Sequence, residues 1–440
     1  MERNMVLPFA KYAALNVVGM LGLSCYILAD TYFISKGLGA DGLTALNLAI
    51  PVYSFVHGSG LMVGMGGATQ YSLAGGKNGG EQAKAIFTKA LWYSGLLAGI
   101  CFFIGLFLAG RLSALLGADA AVYEMTTTYL RVILLFAPAF LTNETVLCFV
   151  RNDGSPKLAM AGMLGGSFSN IILDYIFIFP LNMGMFGAAL ATGFAPIISL
   201  AILSPHFRRR DCGLRPVHVG LDLRAMGEIG ALGAPSLITE VSSGVVMIVF
   251  NLVILSLEGN LGVAAYGVIA NLSLVVTSLF TGLGQGIQPL ISASCGSGRK
   301  EDAAKVYRCA LVSALGFFVL VYAATYFLAD SIAGAFNQAG NPVLQAIAVQ
   351  GLRLYFTAFL FAGFNVVTAV YFSSVDRPGP GFLVSILRGF VLVLPLTFLM
   401  ARLWGMTGVW LTFPAAEALT AAVTGALLAG MSRKEESKNA

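Results

Sequence analysis

The stretch PHFRRRDCGLRPVHVGLDLR, residues 205–224, is the one sustained polar segment between long apolar runs in this chain of 440 residues, and it lies near the midpoint. The chain as a whole is 57% hydrophobic and 11% charged, and its mean hydropathy is +0.82. These values exclude a soluble globular protein and a disordered one, and they indicate a membrane protein.

Apolar runs on both sides of the polar segment are long enough to cross a bilayer, which takes about 20 residues per helix. We predict twelve spans, at about 10–34, 43–72, 86–109, 122–149, 158–179, 186–204, 229–257, 261–293, 309–328, 343–372, 380–401 and 404–431. The predicted fold is an all-α integral membrane protein. It comprises an N-terminal lobe of six spans (1–204), a cytoplasmic linker (205–226) and a C-terminal lobe of six spans (227–440).

The two halves of the chain are copies of one unit. At an offset of 220 residues, Gly39, Gly42, Ala45, Gly64, Gly66, Gly76, Glu81, Ala83 and Leu91 coincide with Gly259, Gly262, Ala265, Gly284, Gly286, Gly296, Glu301, Ala303 and Leu311. Six spans is an even number, so both copies enter the membrane from the same side. The repeat is therefore parallel, with a pseudo-two-fold axis along the membrane normal. Such repeats place a substrate path between the halves, and the architecture predicts transport.

Lysine and arginine are distributed unevenly between the two sides of the predicted membrane. Twenty of the 26, Arg3 and Arg151 among them, fall at the termini or in loops on one side, whereas Lys36, Arg111 and Arg402 fall in the opposite loops. The positive-inside rule therefore predicts a multi-pass protein of the plasma (cytoplasmic) membrane, the cell inner membrane, with both termini in the cytoplasm. This orientation explains the net charge of +5, and no nucleic-acid partner is expected.

Three stretches of sequence carry a family likeness: ADTYFISKGLGADGLTALNLAIP at 29–51, RNDGSPKLAMAGMLGGSFSNIILDYIFIF with GMFGAALAT within 151–192, and GLGQGIQPLISASCGSG at 282–298. They resemble the multidrug and toxic compound extrusion (MATE) transporters, specifically their MepA-like bacterial branch, and the similarity covers essentially the whole chain. The resemblance implies a two-lobed secondary antiporter that is open to one side at a time. It implies export of organic, cationic compounds in exchange for H⁺ or Na⁺.

Two aspartates in the first half lie at the same predicted depth. Asp30 in span 1 and Asp174 in span 5 each lie six residues before the outer end of the span, which places both about 9 Å below the surface. Tyr26 and Asn170 lie one helical turn before them, and Thr192 falls slightly deeper in span 6. The resemblance implies that these five residues form the cation or proton site of the first lobe.

The chemistry of this pair of carboxyl groups leaves three interpretations open. Burial disfavours the charged form of a carboxyl group, so each aspartate can take up and release a proton. Alternatively, the two carboxylates with amide, hydroxyl and phenolic oxygens form a cage suited to Na⁺ at Asp30 and Asp174. The third interpretation is that the carboxyl groups hydrogen-bond to neighbouring helices for packing alone.

The second half has its own ionisable residues near mid-membrane, where a charge costs about 2.5–3.5 kcal/mol on insertion scales. These are Glu240 in span 7, Arg388 in span 11 and Glu417 in span 12. An arginine between two glutamates predicts an internal ion pair, and Glu240, after Pro235, is equally a candidate for attracting a cationic drug or the coupling ion. Asn365 in span 10 is predicted to make a structural hydrogen bond rather than a substrate contact.

Other classes of function fit less well. An enzyme is not predicted, because the three histidines, His57, His206 and His218, lack metal-ligand spacing. The serious alternative is a flippase for lipid-linked oligosaccharides or peptidoglycan precursors in the same superfamily, for which a basic cavity is expected. The acidic excess within the spans instead favours cationic cargo. Beyond the coupling ion no cofactor is expected, and the chain is expected to be a monomer in contact with membrane lipid.

Overall fold

The structure, a computed structural model, describes residues 5–337 and 340–439, with side chains through Met431. These residues contain no strand. The α-helices are α1 Val6–Leu73, α2 Gly80–Phe107, α3 Ala109–Leu115, α4 Tyr123–Leu135, α5 Ala137–Asn152, α6 Pro156–Ile178, α7 Gly184–Leu203, α8 Leu223–Gly296, α9 Lys300–Phe327, α10 Ala329–Phe336, α11 Pro342–Tyr355, α12 Phe359–Ser374, α13 Pro378–Ile386 and α14 Val393–Asn439. Short 3₁₀ segments lie at Gly76–Asn78, Ser204–Arg208 and Phe356–Ala358, and a π-helical turn lies at Leu387–Val391.

Helices α1 and α8 are hairpins of two membrane spans, and α14 forms a third hairpin together with α13 and the π-helical turn before it. Helix α1, with 68 residues, would be about 100 Å long if it were straight, far more than a bilayer. It breaks at Gly39 (φ 68°, ψ −156°), α8 breaks at Gly259 (φ 61°, ψ −152°), and α14 breaks at Gly405 (φ 56°, ψ −135°). The hydroxyl groups of Tyr26 and Tyr53 form a hydrogen bond across the first break, so the chain reverses there.

The number of crossings agrees with the prediction. Eight helices are long and apolar enough to cross a membrane, and the bent pair Tyr123–Leu135 and Ala137–Asn152 adds one more. Because three of the eight are hairpins, the described residues make twelve crossings in all. The predicted fold class is confirmed. We call the end of the bundle at Gly39 and Gly259 the hairpin end, and the opposite end, at Val6 and Leu73, the terminal end.

The sequence repeat is also a repeat of backbone conformation. Gly39 and Gly259, which coincide at an offset of 220 residues, have φ values of 68° and 61°. Gly184 and Gly405, which coincide at an offset of 221, have φ values of 60° and 56°. Residues other than glycine are strained at such positive φ values, so both copies keep glycine at the same turns.

The two halves meet along a seam between α1 and α8 that glycine makes possible. A methyl group built on Gly66 would lie 1.9 Å from the carbonyl oxygen of Ile229, and one built on Gly233 would lie 1.8 Å from that of Met62. On the symmetry-related side, a methyl group on Gly286 would lie 2.9 Å from Cα of Ala13. The backbones of the two halves therefore touch without intervening side chains. We call this contact the glycine seam.

The polar segment between the halves is non-helical from Arg209 to Asp222, and α8 begins at Leu223, so residues 223–226 of the predicted linker are helical. The buried carboxylate of Asp153 anchors the segment, since it contacts Nε2 of His206 at 2.7 Å and accepts hydrogen bonds from Tyr71 at 2.5 Å and from the Gly213 amide at 3.2 Å. The residue bounds of the two lobes stay a prediction.

An exposed ion pair in this segment adds to the anchorage. Asp211 accepts hydrogen bonds from Arg209 and from Lys77, which lies in the short loop after α1. These bonds lower the pKa of Asp211 to about 2. The contact therefore holds over the whole physiological pH range.

One of the predicted loop cations lies inside the protein. Arg151 is only 2% exposed, and its Nη1 atom donates to Asn16 at 2.7 Å and to Gln285 at 3.0 Å, so it links α5 to both α1 and α8. Arg151 therefore lies in the last turn of α5 and not in the predicted loop, and the orientation to which it was assigned stays a prediction. Arg3 lies outside the described residues, as do the side chains of Arg433, Lys434 and Lys438. The cytoplasmic position of both termini stays a prediction.

Candidate ion and substrate sites

The structure brings the two first-lobe aspartates together. Asp30 on α1 and Asp174 on α6 are 6% and 0% exposed, and their carboxyl groups are in contact. Asn170 and Thr192 lie beside them, both buried. With its amide oriented to satisfy both ends, Asn170 donates to Asp174 Oδ2 at 2.9 Å and accepts from the Thr192 amide at 3.2 Å. The equal membrane depth of Asp30 and Asp174, counted from the sequence, therefore correctly predicted that they lie close together.

The tyrosines around this pair differ from the expectation. Tyr26 lies one turn from Asp30 as predicted, but its hydroxyl group bonds to Tyr53. A second buried tyrosine, Tyr129 on α4, lies near both aspartates and Thr192. Sequence reasoning missed Tyr129, because α4 carries no acidic residue at that depth to draw attention to it.

The two carboxyl groups lack enough hydrogen-bond donors for two negative charges. Within the described residues, Oδ1 of Asp30 and Oδ1 of Asp174 have no hydrogen-bond partner, although both atoms are buried. Two adjacent ionised carboxylates in a buried site repel each other strongly. The arrangement suits either a proton shared by the pair or a small cation held by oxygen ligands. Both uses fit the donor set present.

A cavity in the middle of the protein approaches this pair, although neither aspartate lines it. It contains about 670 Å³ of space free of protein atoms, part of it open to the outside. Its walls include Tyr26 and Thr192 near the aspartates, His57 and Glu144 further along, and Arg151 at the far end.

In the second lobe, the predicted ion pair forms between Arg388 and Glu417. Glu417 is fully buried, and its Oε1 accepts from Arg388 at 2.6 Å and 3.0 Å. Asn365 donates to Glu417 Oε2 at 2.7 Å and accepts from Thr424 at 3.0 Å, which agrees with its predicted structural role. Arg388 lies on the π-helical turn Leu387–Val391, an irregularity that redirects its side chain relative to a regular helix.

Glu240 differs from the expectation of an arginine between two glutamates. Its Oε2 lies 3.6 Å from Nδ1 of His57, a first-lobe residue, and Nε2 of His57 lies 3.6 Å from Oε1 of Glu144. From the sequence, His57 is considered only as a metal ligand, and Glu144 is not among the predicted site residues. The signal for Glu144 was available, because a carboxylate within an apolar run is as costly there as at Asp30.

A second cavity lies between the lobes and contains about 1120 Å³ of space free of protein atoms. Its walls include Met20 and Ser24 from the first lobe, and Glu240, Arg388 and Glu417 from the second. Tyr266, Tyr355 and Phe413 line the same cavity. Apolar and aromatic walls with a few buried charges suit the binding of organic molecules.

Comparison with known proteins identifies the family. The family described as MatE matches residues 17–176 and 235–399, one segment in each half. The chain belongs to the MatE family. The family is one of membrane transporters and not of enzymes, and the positions of the two matched segments agree with the internal repeat.

Individual relatives extend the likeness over the whole chain. The multidrug export protein MepA of Staphylococcus aureus (strain MRSA252) is 27% identical over 412 residues, which cover 92% of this chain and 89% of that protein. A crystal structure of MATE in complex with MaL6 superposes with a TM-score of 0.90 at 23% identity, covering 100% of both chains. An outward-facing multidrug resistance MATE transporter of the MOP superfamily superposes with a TM-score of 0.88 at 24% identity, covering 98% of this chain and 96% of that one. The MatE fold is therefore shared in full.

Proposed function

We propose that this MatE protein exports organic cations across the plasma membrane in exchange for H⁺ or Na⁺. The observation that carries the proposal is the buried contact between Asp30 and Asp174, in which one oxygen of each carboxyl group lacks a partner. A buried pair of this kind takes up a cation or a proton readily and releases it when its surroundings change. The name of the similar MepA protein, a multidrug export protein, supports the same function.

The arrangement of the lobes supports alternating access. The glycine seam closes the terminal end, where Arg151 adds hydrogen bonds to Asn16 and Gln285. With the predicted orientation, the closed end faces the cytoplasm, and this conformation is outward-facing. An inward-facing conformation then requires the seam to part.

The charges in the two cavities support a cationic substrate. The Arg388 guanidinium group forms a salt bridge with Glu417, and Arg151 donates hydrogen bonds to side-chain amide oxygens. Glu144 and Glu240 face the cavities and have only His57 as an ion-pair partner among the described residues. A flippase that binds a diphosphate would need the opposite balance of charge.

The test is transport by purified protein in liposomes, with a pH gradient and a Na⁺ gradient imposed separately. We expect one gradient, and not both, to drive export of ethidium. Asp30→Asn is expected to abolish the driven component, because an amide neither ionises nor binds a proton in this range. Asp41→Asn is the matched control, since Asp41 is an exposed aspartate on the same helix.

Two results would contradict the proposal. Export by Asp30→Asn at the parental rate under the effective gradient would rule out the first-lobe pair as the coupling site. If neither gradient moves ethidium, and a fluorescent lipid-linked diphosphate moves between leaflets without a gradient, the protein is a flippase instead.

A further inference from the structure

His57 occupies a singular place between the lobes. It lies on α1 beyond the Gly39 break and is 7% exposed. Its Nε2 atom lies 3.6 Å from Oε1 of Glu144 on α5, and its Nδ1 atom lies 3.6 Å from Oε2 of Glu240 on α8. One imidazole ring therefore lies between a carboxyl group of the first lobe and a carboxyl group of the second.

The chemistry of imidazole makes this bridge dependent on a proton. A neutral imidazole has one N–H donor, and its other nitrogen presents a lone pair. Facing two carboxylates, a neutral ring would attract one and repel the other. Only the imidazolium form directs an N–H group at each side and carries a charge that both carboxylates favour.

Among the described residues, the groups packed around the ring leave Glu144 and Glu240 with His57 as their ion-pair partner. On α1, Tyr53 stacks on His57, with ring centroids 6.0 Å apart and an interplanar angle of 17°. On α5, Asn143 donates to Glu144 Oε1 at 3.3 Å, and Arg151 is the charged residue nearest to Glu144 on that helix. The remaining cation near Glu240 is Arg388, which lines the inter-lobe cavity with it and is paired with Glu417.

A proton can also reach the site. The side chains of Glu144 and Glu240 are 14% and 26% exposed, and they open to the first-lobe and inter-lobe cavities respectively. Each cavity therefore gives one of the two carboxyl groups beside His57 a route for proton exchange. A proton on His57 would be buried and still able to exchange through the two cavities.

The bridge lies at the edge of the glycine seam. A methyl group built on Gly58, the residue after His57, would lie 3.0 Å from Cβ of Glu240. Attraction between His57 and Glu240 therefore acts where the close backbone contact of the two lobes begins. Loss of the proton would remove that attraction and leave two carboxylates near a neutral ring.

We propose that His57, Glu144 and Glu240 form a second proton-binding site, which holds the lobes together at mid-membrane when the imidazole is doubly protonated and loosens them when it is not. The inference rests on the proposed function only in that the lobes must separate during transport. The site is distinct from the Asp30 and Asp174 pair.

The first test is nuclear magnetic resonance of protein labelled with ¹⁵N in histidine. The chain has only three histidines, so His206→Gln and His218→Gln variants assign the signals. We expect both ring nitrogens of His57 to show imidazolium shifts at pH 6.5, and we expect the combined Glu144→Gln and Glu240→Gln variant to lose them. A singly protonated His57 at pH 6.5 in the parent would overturn the proposal.

The second test measures the distance between spin labels at Asn78 and Ser297, both exposed at the terminal end, in a variant without the six native cysteines. Between pH 6 and pH 9 we expect the population with the longer distance to grow in the parent and in His218→Gln. In His57→Gln we expect the distance distribution to be the same at both pH values. The exposed His218 is the matched control.

The outcome separates this proposal from the proposed function. We expect Asp30→Asn to lose coupled export yet keep the pH response of the distance, because His57 is unaltered. A parental pH response in His57→Gln would overturn the second site and leave the first untouched. If His57→Gln fails to fold, the combined Glu144→Gln and Glu240→Gln variant replaces it with the same expected loss.

Discussion

Single residues give the two lobes different electrostatic roles. In the first lobe, Asp30 and Asp174 face each other, and neither forms an ion pair with a basic side chain among the described residues. In the second, Glu417 is neutralised by Arg388 at 2.6 Å. The neutral Arg388–Glu417 pair does not favour binding of a further cation, whereas the two adjacent aspartates do. The first lobe is therefore the one suited to ion exchange.

The Arg388 and Glu417 pair offers a prediction about stability. Arg388→Met leaves Glu417 buried without its cation, and we expect a loss of about 3–5 kcal/mol in the free energy of unfolding. The combined Arg388→Met and Glu417→Met variant removes both charges and is expected to recover most of that loss. Thermal unfolding in detergent measures both variants. A combined variant as unstable as the single one would contradict a purely structural pair.

Several residues of the candidate site could be predicted from the sequence. Asp30, Asp174, Asn170 and Thr192 were placed together because the rise of a helix converts a count from the span end into a depth. The neighbours of His57 could not be predicted, since they depend on how each helix is rotated about its axis and on which lobe face it meets. Hydrophobic periodicity and amino-acid composition do not determine the rotation of a helix about its axis or the lobe face that it meets.

At the scale of helices, the hairpin breaks show why certain glycines are required. Gly259 has φ 61° and ψ −152°, a conformation that only glycine adopts at low cost. The gaps between apolar runs placed the turns near these glycines, so the number of spans was predicted correctly. The sequence did not predict that the helices continue through these turns, because the hydropathy of a segment does not reveal that one of its residues has an unusual φ.

This conformation leads to a prediction for Gly259→Ala. A methyl group there meets no neighbour, so the expected loss of about 1–3 kcal/mol in unfolding free energy comes from backbone strain alone. Gly267→Ala is the control on the same helix, because Gly267 is helical and also has open space around it. Thermal unfolding compares the two, and equal melting temperatures would argue against strain at Gly259.

At the scale of the whole molecule, the glycine seam connects the internal sequence repeat with the contact between the two lobes. Gly66 and Gly286 coincide in the internal repeat, and each touches the backbone of the opposite half. The same glycine therefore serves twice, once in each copy. The repeat was visible in the sequence, but the use of these glycines at the contact between halves became apparent only in three dimensions.

The seam leads to a prediction for Gly233→Ala. The added methyl group would lie 1.8 Å from the Met62 carbonyl oxygen, a distance that no packed structure permits. We expect the lobes to part at the terminal end, so labels at Asn78 and Ser297 move to longer distances at every pH.

The matched control for this variant is Gly227→Ala, on the same helix, where a methyl group meets no neighbour. It is expected to keep the parental distance distribution. If Gly233→Ala also kept that distribution, the backbone contact between Gly233 and Met62 would have no part in holding the terminal end closed.

The composition of the seam bears on how fast the transporter can cycle. Glycine has no side-chain torsions, so bringing these surfaces together immobilises few rotamers, whereas a seam of long side chains would lose up to about 2 kcal/mol of conformational entropy for each one ordered. Closing and reopening the protein therefore requires little reorganisation at the contact itself. The main kinetic barrier to the conformational change is then the hydration and dehydration of the buried charged side chains. We therefore expect the turnover rate to depend more on those side chains than on the shape complementarity of the glycine seam.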